Sequence, residues 1–140
     1  MTADRLLWWL MRLDACVVLC AAPCALLPFE WMSTVHRDWL GLGELPDAVI
    51  TRYMARSLSL LYALHGAVVF TITIRWREYR SMVPVLAYLH TALGAGVFLA
   101  DLNAGVPWWW VASEGPGLVA FGLVKLFLYR RASRAGPVAS

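Results

Sequence analysis

Four apolar runs, each about the length of a membrane-crossing helix and joined by short polar, glycine- and proline-containing connections, limit what this 140-residue chain can fold into. A hydrocarbon core offers no water to peptide N–H and C=O groups, so such a run must close its own hydrogen bonds as an α-helix. The runs cover about residues 13–31, 48–74, 81–102 and 108–129. Hydrophobic residues make up 61% of the chain and charged residues only 15%, against about a quarter charged in a soluble domain. The expected fold is all-α: an integral membrane four-helix bundle of up-down topology, forming a single membrane domain over residues 1–140.

Charge placement gives the expected orientation. Arg5, Arg12, Arg75, Arg77, Arg80, Lys125, Arg130, Arg131 and Arg134 make nine of the twelve basic residues at one set of helix ends, which the positive-inside rule assigns to the cytoplasm. Glu30, Asp38, Glu44, Asp47, Asp101 and Glu114 collect at the other, giving an N-in/C-in topology. The net charge of +3 is dispersed over helix ends and forms no nucleic-acid patch.

In chain order, Met1 to Arg12 reads as an interfacial start, with Arg5, Trp8, Trp9 and Arg12 at headgroup depth. Arg12 and Asp14 interrupt the apolar core that a cleaved signal peptide would need, so the first span is read as retained. Cys16, Cys20 and Cys24 form one helical stripe; with no fourth ligand nearby they read as small packing residues, not a zinc site. Ser33 to Asp47 is the longest connection, and it places His36 in an exposed segment and offers Asp47 as an N-cap. Arg52 and Arg56 lie one turn apart at the outer end of the second span, suited to snorkelling or to an acid from another helix. Pro84 falls in the first turn of the third span, where its missing N–H costs little. Trp108-Trp109-Trp110 reads as an aromatic belt, and Glu114-Gly115-Pro116-Gly117 after it as a place where the fourth helix loosens or kinks.

Two constellations carry chemistry. His65 lies ten residues before Arg75 and His90 ten after Arg80, so helices folded about the basic Arg75–Arg80 loop carry both imidazoles roughly 15 Å from it. That depth is mid-membrane, where an ionisable group is a functional candidate. One reading is a b-type haem held by His65 and His90, with Gly66, Gly94 and Gly96 making room for the macrocycle. The other is interhelical hydrogen bonding or contact with a ligand. The second constellation is a polar outer end. Positions 90, 94, 97 and 101 share one face of the third helix and 114, 118, 121 and 125 one face of the fourth, bringing Asp101 and Glu114 together with Arg56 at a compatible height. This set either ties helix ends or lines a cleft for a lipid-like or quinone-like molecule. An isomerase using Glu114 or Asp101 as acid/base is a further reading, but no nucleophile, nucleotide loop or metal set accompanies it.

Tyr62-Ala63-Leu64-His65-Gly66, the Arg75–Arg80 loop, Leu89-His90 in a glycine-rich third helix and the Gly105-Val106-Pro107 turn resemble the small four-helix bacterial membrane proteins of the DoxX-like group. The resemblance covers about half the chain, Arg56 through Arg130. It implies an up-down bundle in the bacterial inner membrane, and for some members association with respiratory or redox complexes. Taken together, the expected function is a non-catalytic accessory subunit of a larger membrane complex or a binder of a hydrophobic molecule, with Arg56, His65, His90, Asp101 and Glu114 as candidate contacts. The alternative is an electron carrier with haem b on His65 and His90.

Overall fold

The computed structural model describes residues 2–134, and every regular element among them is a helix. In chain order these are α1 (Ala3–Leu19), α2 (Ala21–Cys24), α3 (Phe29–Thr34) with a π-helical turn Val35–Trp39, α4 (Val49–Ile74), α5 (Trp76–Tyr79) with a 3-10 turn Arg80–Met82, α6 (Val83–Ala104) and α7 (Trp108–Arg134). Four stretches are long and apolar enough to cross a membrane: Ala3–Cys24, Val49–Ile74, Trp76–Ala104 and Trp108–Arg134. At about 1.5 Å per residue, α4 and α7 are each roughly 40 Å long, longer than a hydrocarbon core of about 30 Å. These are the helices of a multi-pass membrane protein.

The first span departs from the sequence reading. It begins at Ala3 and not near residue 13, and it ends by Cys24 and not at residue 31. Leu7, Met11 and Ala15 recur every four residues and are fully buried, so the supposed interfacial segment already presents a packing face. Asp4 in the first turn complements the positive end of the helix dipole. Past Cys24, Pro28 takes an extended conformation (φ −56°, ψ 143°), which ends the run and starts α3 as a separate short helix.

Two compact units divide the chain: Met1–Met11 with Ile72–Ser140, and Arg12–Thr71. The first is built on the α6–α7 hairpin. Gly105 adopts φ 70°, the left-handed cap that lets α6 stop and the chain turn into Val106-Pro107. The two helices then approach through glycine. A Cβ on Gly94 would meet the Gly115 carbonyl oxygen and the Val119 nitrogen at 2.7 Å, and one on Gly115 would meet Phe98 Cβ at 2.6 Å. A Cβ on Gly122 would collide with Thr91 Oγ1 and with the Ala87 carbonyl oxygen at 2.6 Å. Small residues at these positions let backbones touch, which is how helices gain packing energy where lipid tails remove the hydrophobic drive. The Thr91 hydroxyl donates to the Ala87 carbonyl (3.0 Å), so it adds no unsatisfied group to that contact.

The same unit gathers helix ends around Asp4. The Trp76 indole N–H donates to Asp4 Oδ2 (3.1 Å), Arg80 Nε lies 2.8 Å from Asp4 Oδ1, and the Arg80 guanidinium sits 5.3 Å over the Tyr129 ring. The Trp8 indole N–H donates to the Thr73 carbonyl (2.8 Å). The start of α1, the α4–α6 link and the end of α7 therefore share one end of this unit, and the arginines of the 75–80 loop and of the α7 terminus share it with them. α7 is continuous through Glu114-Gly115-Pro116-Gly117, with Pro116 inside the helix. Gly115 is packed on Phe98, while Pro116 and Gly117 are exposed.

The second unit, Arg12–Thr71, joins the later part of α1 to α4. Gly66 is the close approach: its Cβ would lie 2.8 Å from the Leu19 nitrogen and 3.1 Å from the Ala15 carbonyl oxygen. Arg12 stacks over Phe70 (4.2 Å) and Arg52 over Phe29 (5.1 Å). Asp47 does not cap α4 with its side chain; it forms an exposed ion pair with Arg52 (2.6 Å).

Candidate functional site

In the hairpin, the residues that stand out are His90, Phe121 and Lys125. α7 buries Gly115, Gly122, Lys125, Leu128 and Ala132, a run of three-, four- and seven-residue steps that carries Lys125 onto the packed face. Lys125 is fully buried. The sequence reading had counted it with the cytoplasmic basic residues at the helix end; it lies instead nine residues before Arg134, roughly 14 Å inside α7. Its Nζ sits 4.1 Å from the centroid of the Phe121 ring, a cation–π contact of about 2 kcal/mol in a dry setting.

His90 meets the same ring from the other helix, edge to face at 5.8 Å and 72°. It is 7% exposed, and its Nδ1 lies 2.9 Å from the Leu86 carbonyl oxygen. A carbonyl only accepts, so Nδ1 carries the proton and, in the neutral ring, Nε2 holds the lone pair. One aromatic ring thus joins two ionisable side chains inside an apolar hairpin.

At the opposite end of the hairpin lie Asp101 and Glu114, both partly buried. The register set by Phe98 on Gly115 brings the two carboxylates to the same end, and among the described residues no basic side chain forms an ion pair with either. Asp101 Oδ2 is closed off from solvent and accepts no hydrogen bond among the described residues.

In the Arg12–Thr71 unit, Arg56 is exposed on α4 and His65 is half-buried. Asp14 of α1 approaches His65, with a carboxylate oxygen and a ring nitrogen within 4.8 Å of each other. Sequence reasoning passed over Asp14 because the span was started too late: counted from Ala3, Asp14 is eleven residues into an apolar helix. The spacing put Lys125 on one stripe with Glu114 and Phe121, but it was also counted with the basic helix end because Arg130 lies five residues on; the signal for its burial was the apolar run on both sides, Leu123-Val124 and Leu126-Phe127-Leu128.

Two of the three glycines expected to make room for a macrocycle are already filled. Helix backbone occupies the faces of Gly66 and Gly94, and only Gly96 has nothing within 4 Å. The cysteines of the first span bond within the helix, Cys20 Sγ to the Cys16 carbonyl (3.2 Å) and Cys24 Sγ to the Cys20 carbonyl (3.5 Å). His36 is partly buried; its Nδ1 lies 2.8 Å from the Gly43 carbonyl oxygen and closes the 36–43 loop. In that loop Arg37 holds Asp38 in a bidentate pair, and this hydrogen bonding, with the nearby positive charge, lowers the Asp38 carboxyl below its ordinary value. Compared with known protein families, characterised proteins and solved structures, this chain matches none.

Proposed function

We propose that this chain is a non-catalytic membrane protein that binds a hydrophobic molecule with a carbonyl or anionic head, such as a quinone, and that Lys125 and His90 form the polar contact for that head. The observation that carries the reading is the fully buried Lys125 sharing the Phe121 ring with His90. A charged side chain within a spanning helix is costly and marks a functional position by default. An ammonium is a donor a carbonyl oxygen needs, the His90 Nε2 lone pair can accept from a head-group hydroxyl, and an aromatic ring between the two suits a flat head group. Asp101 and Glu114, at the far end of the hairpin, serve on this reading as helix-end polar groups.

The test uses the intact chain in detergent, following its tryptophan fluorescence while decylubiquinone is added. Saturable quenching is expected, weakened about tenfold or more in Lys125→Met, because a hydrogen bond from a charged group contributes about 1.5–3 kcal/mol. Binding unchanged in both Lys125→Met and His90→Phe overturns the reading. The haem alternative draws on the His90 tautomer, which leaves Nε2 as the ligating nitrogen, and on Asp14 beside His65. A Soret band lost on His90→Ala would replace a quinone with haem as the bound molecule.

On the same footing we place the protein in a bacterial cytoplasmic membrane with the Asp4–Arg80 end inside, supported by the arginines at that end and the resemblance to DoxX-like proteins. A reporter fused after Gly105 that reads out as cytoplasmic would end this orientation.

A further inference from the structure

At the end of α7 the exposed face changes character within two turns. Leu123, Val124 and Phe127 are 53%, 46% and 61% exposed, and Arg130, Arg131 and Arg134 continue the same face at three- and four-residue steps. Phe127 and the three arginines line a groove of about 420 Å³. Among the described residues no carboxylate lines it. Arg130 reaches the Tyr88 hydroxyl at 3.5 Å with one nitrogen, and the acids Asp4 and Glu78 of this unit are held by Arg80 and Arg75 instead. Three guanidiniums crowded on one turn repel one another, and each presents a fork of donors matched to phosphate oxygens.

We propose that this groove binds an anionic diacyl phospholipid, its phosphate among Arg130, Arg131 and Arg134 and an acyl chain along Phe127, Val124 and Leu123. Charge complementarity selects the anion. The apolar stripe selects a lipid over free phosphate, because the exposed Leu123, Val124 and Phe127 lie on the membrane side of the arginines, where an acyl chain runs and where free phosphate gains nothing. The site is separate from the Lys125–His90 contact and does not depend on it.

Native mass spectrometry of the intact, delipidated chain tests this with phosphatidylglycerol and phosphatidylcholine at equal concentration. Phosphatidylglycerol adducts are expected to dominate. The combined Arg130→Gln, Arg131→Gln and Arg134→Gln change lowers phosphatidylglycerol affinity by about tenfold or more, since each arginine near a membrane surface contributes on the order of tenfold at most to anionic-lipid binding. Arg75→Gln with Arg77→Gln, which removes charge from the same end, leaves it within about twofold of the parent. Equal retention of both lipids overturns the proposal, as does an equal loss in the loop variant, which would reduce the effect to diffuse attraction. Displacement of phosphatidylglycerol by an equal concentration of inorganic phosphate would show an anion site without lipid specificity and also overturn it. Should the triple variant fail to fold, the two-lipid comparison on the parent chain still decides.

Discussion

Asp4 and Arg37 each centre a set of charge pairs, and the two sets are built on opposite plans. Asp4 reaches partners 72 and 76 positions away, Trp76 and Arg80, and both members of its ion pair are about one-third exposed. Arg37 pairs with Asp38 beside it and with Glu44 seven residues on, at 45% to 74% exposure. The first set joins the start of α1 to the α4–α6 link; the second shapes a single connection. Similar ion pairs thus have different consequences: one bears on how helices meet, the other on the course of a loop.

In the hairpin next to the Asp4 set, a pair of glycines two residues apart sharpens the comparison most. Gly94→Ala puts a methyl 2.7 Å from backbone atoms of α7, while Gly96→Ala meets nothing. Overpacking of this kind costs about 1–3 kcal/mol. Gly94→Ala is therefore expected to lower the thermal midpoint in detergent by several degrees, and Gly96→Ala to leave it unchanged or slightly raised through helix propensity. Equal midpoints for the two would mean that the α6–α7 approach is not fixed by these glycines.

Asp4→Asn comes next. It keeps an acceptor for the Trp76 indole but removes the charge paired with Arg80, at a cost of about 1 kcal/mol for a pair screened on one side by solvent. A small fall in midpoint with a changed Trp76 emission is expected, followed in a Trp76-only background. If neither moves, the long-range set is as dispensable as the loop set and the contrast fails.

The helical architecture was legible in the sequence because hydropathy alone decides whether a twenty-residue run must be a helix; the ranges of α4, α6 and α7 lie close to the apolar runs. The start of α1 was not, because Arg5, Trp8, Trp9 and Arg12 look interfacial by residue type, and only the burial of Leu7 and Met11 reveals the packing face they interleave. The glycines were legible as places of close approach but not for what approaches: Gly66 and Gly94 receive helix backbone where a flat ligand had been considered. His90 was found from its distance to the basic loop. The spacing put Lys125 on one stripe with Phe121, but its full burial was not legible, because that depends on the register of α7 against α6, which three glycine contacts set.

The smallest effect belongs to the loop. Arg37 lowers the Asp38 carboxyl, first through its hydrogen bonds and then through its charge, and both groups stand in solvent. A carboxyl lowered in the folded chain favours the folded loop above its unfolded value and loses that contribution as pH falls through the folded value, so the window lies in the acid range below 3.8. Arg37→Gln should leave the thermal midpoint at neutral pH unaltered while the Asp38 carboxyl resonance, followed by NMR through an acid titration, shifts its midpoint upward towards the ordinary carboxylate value. A midpoint that stays low without Arg37 would assign the shift to the loop backbone instead. A global loss of stability on the same substitution would show that the connection holds helices together, and the two charge sets would then differ only in sequence separation.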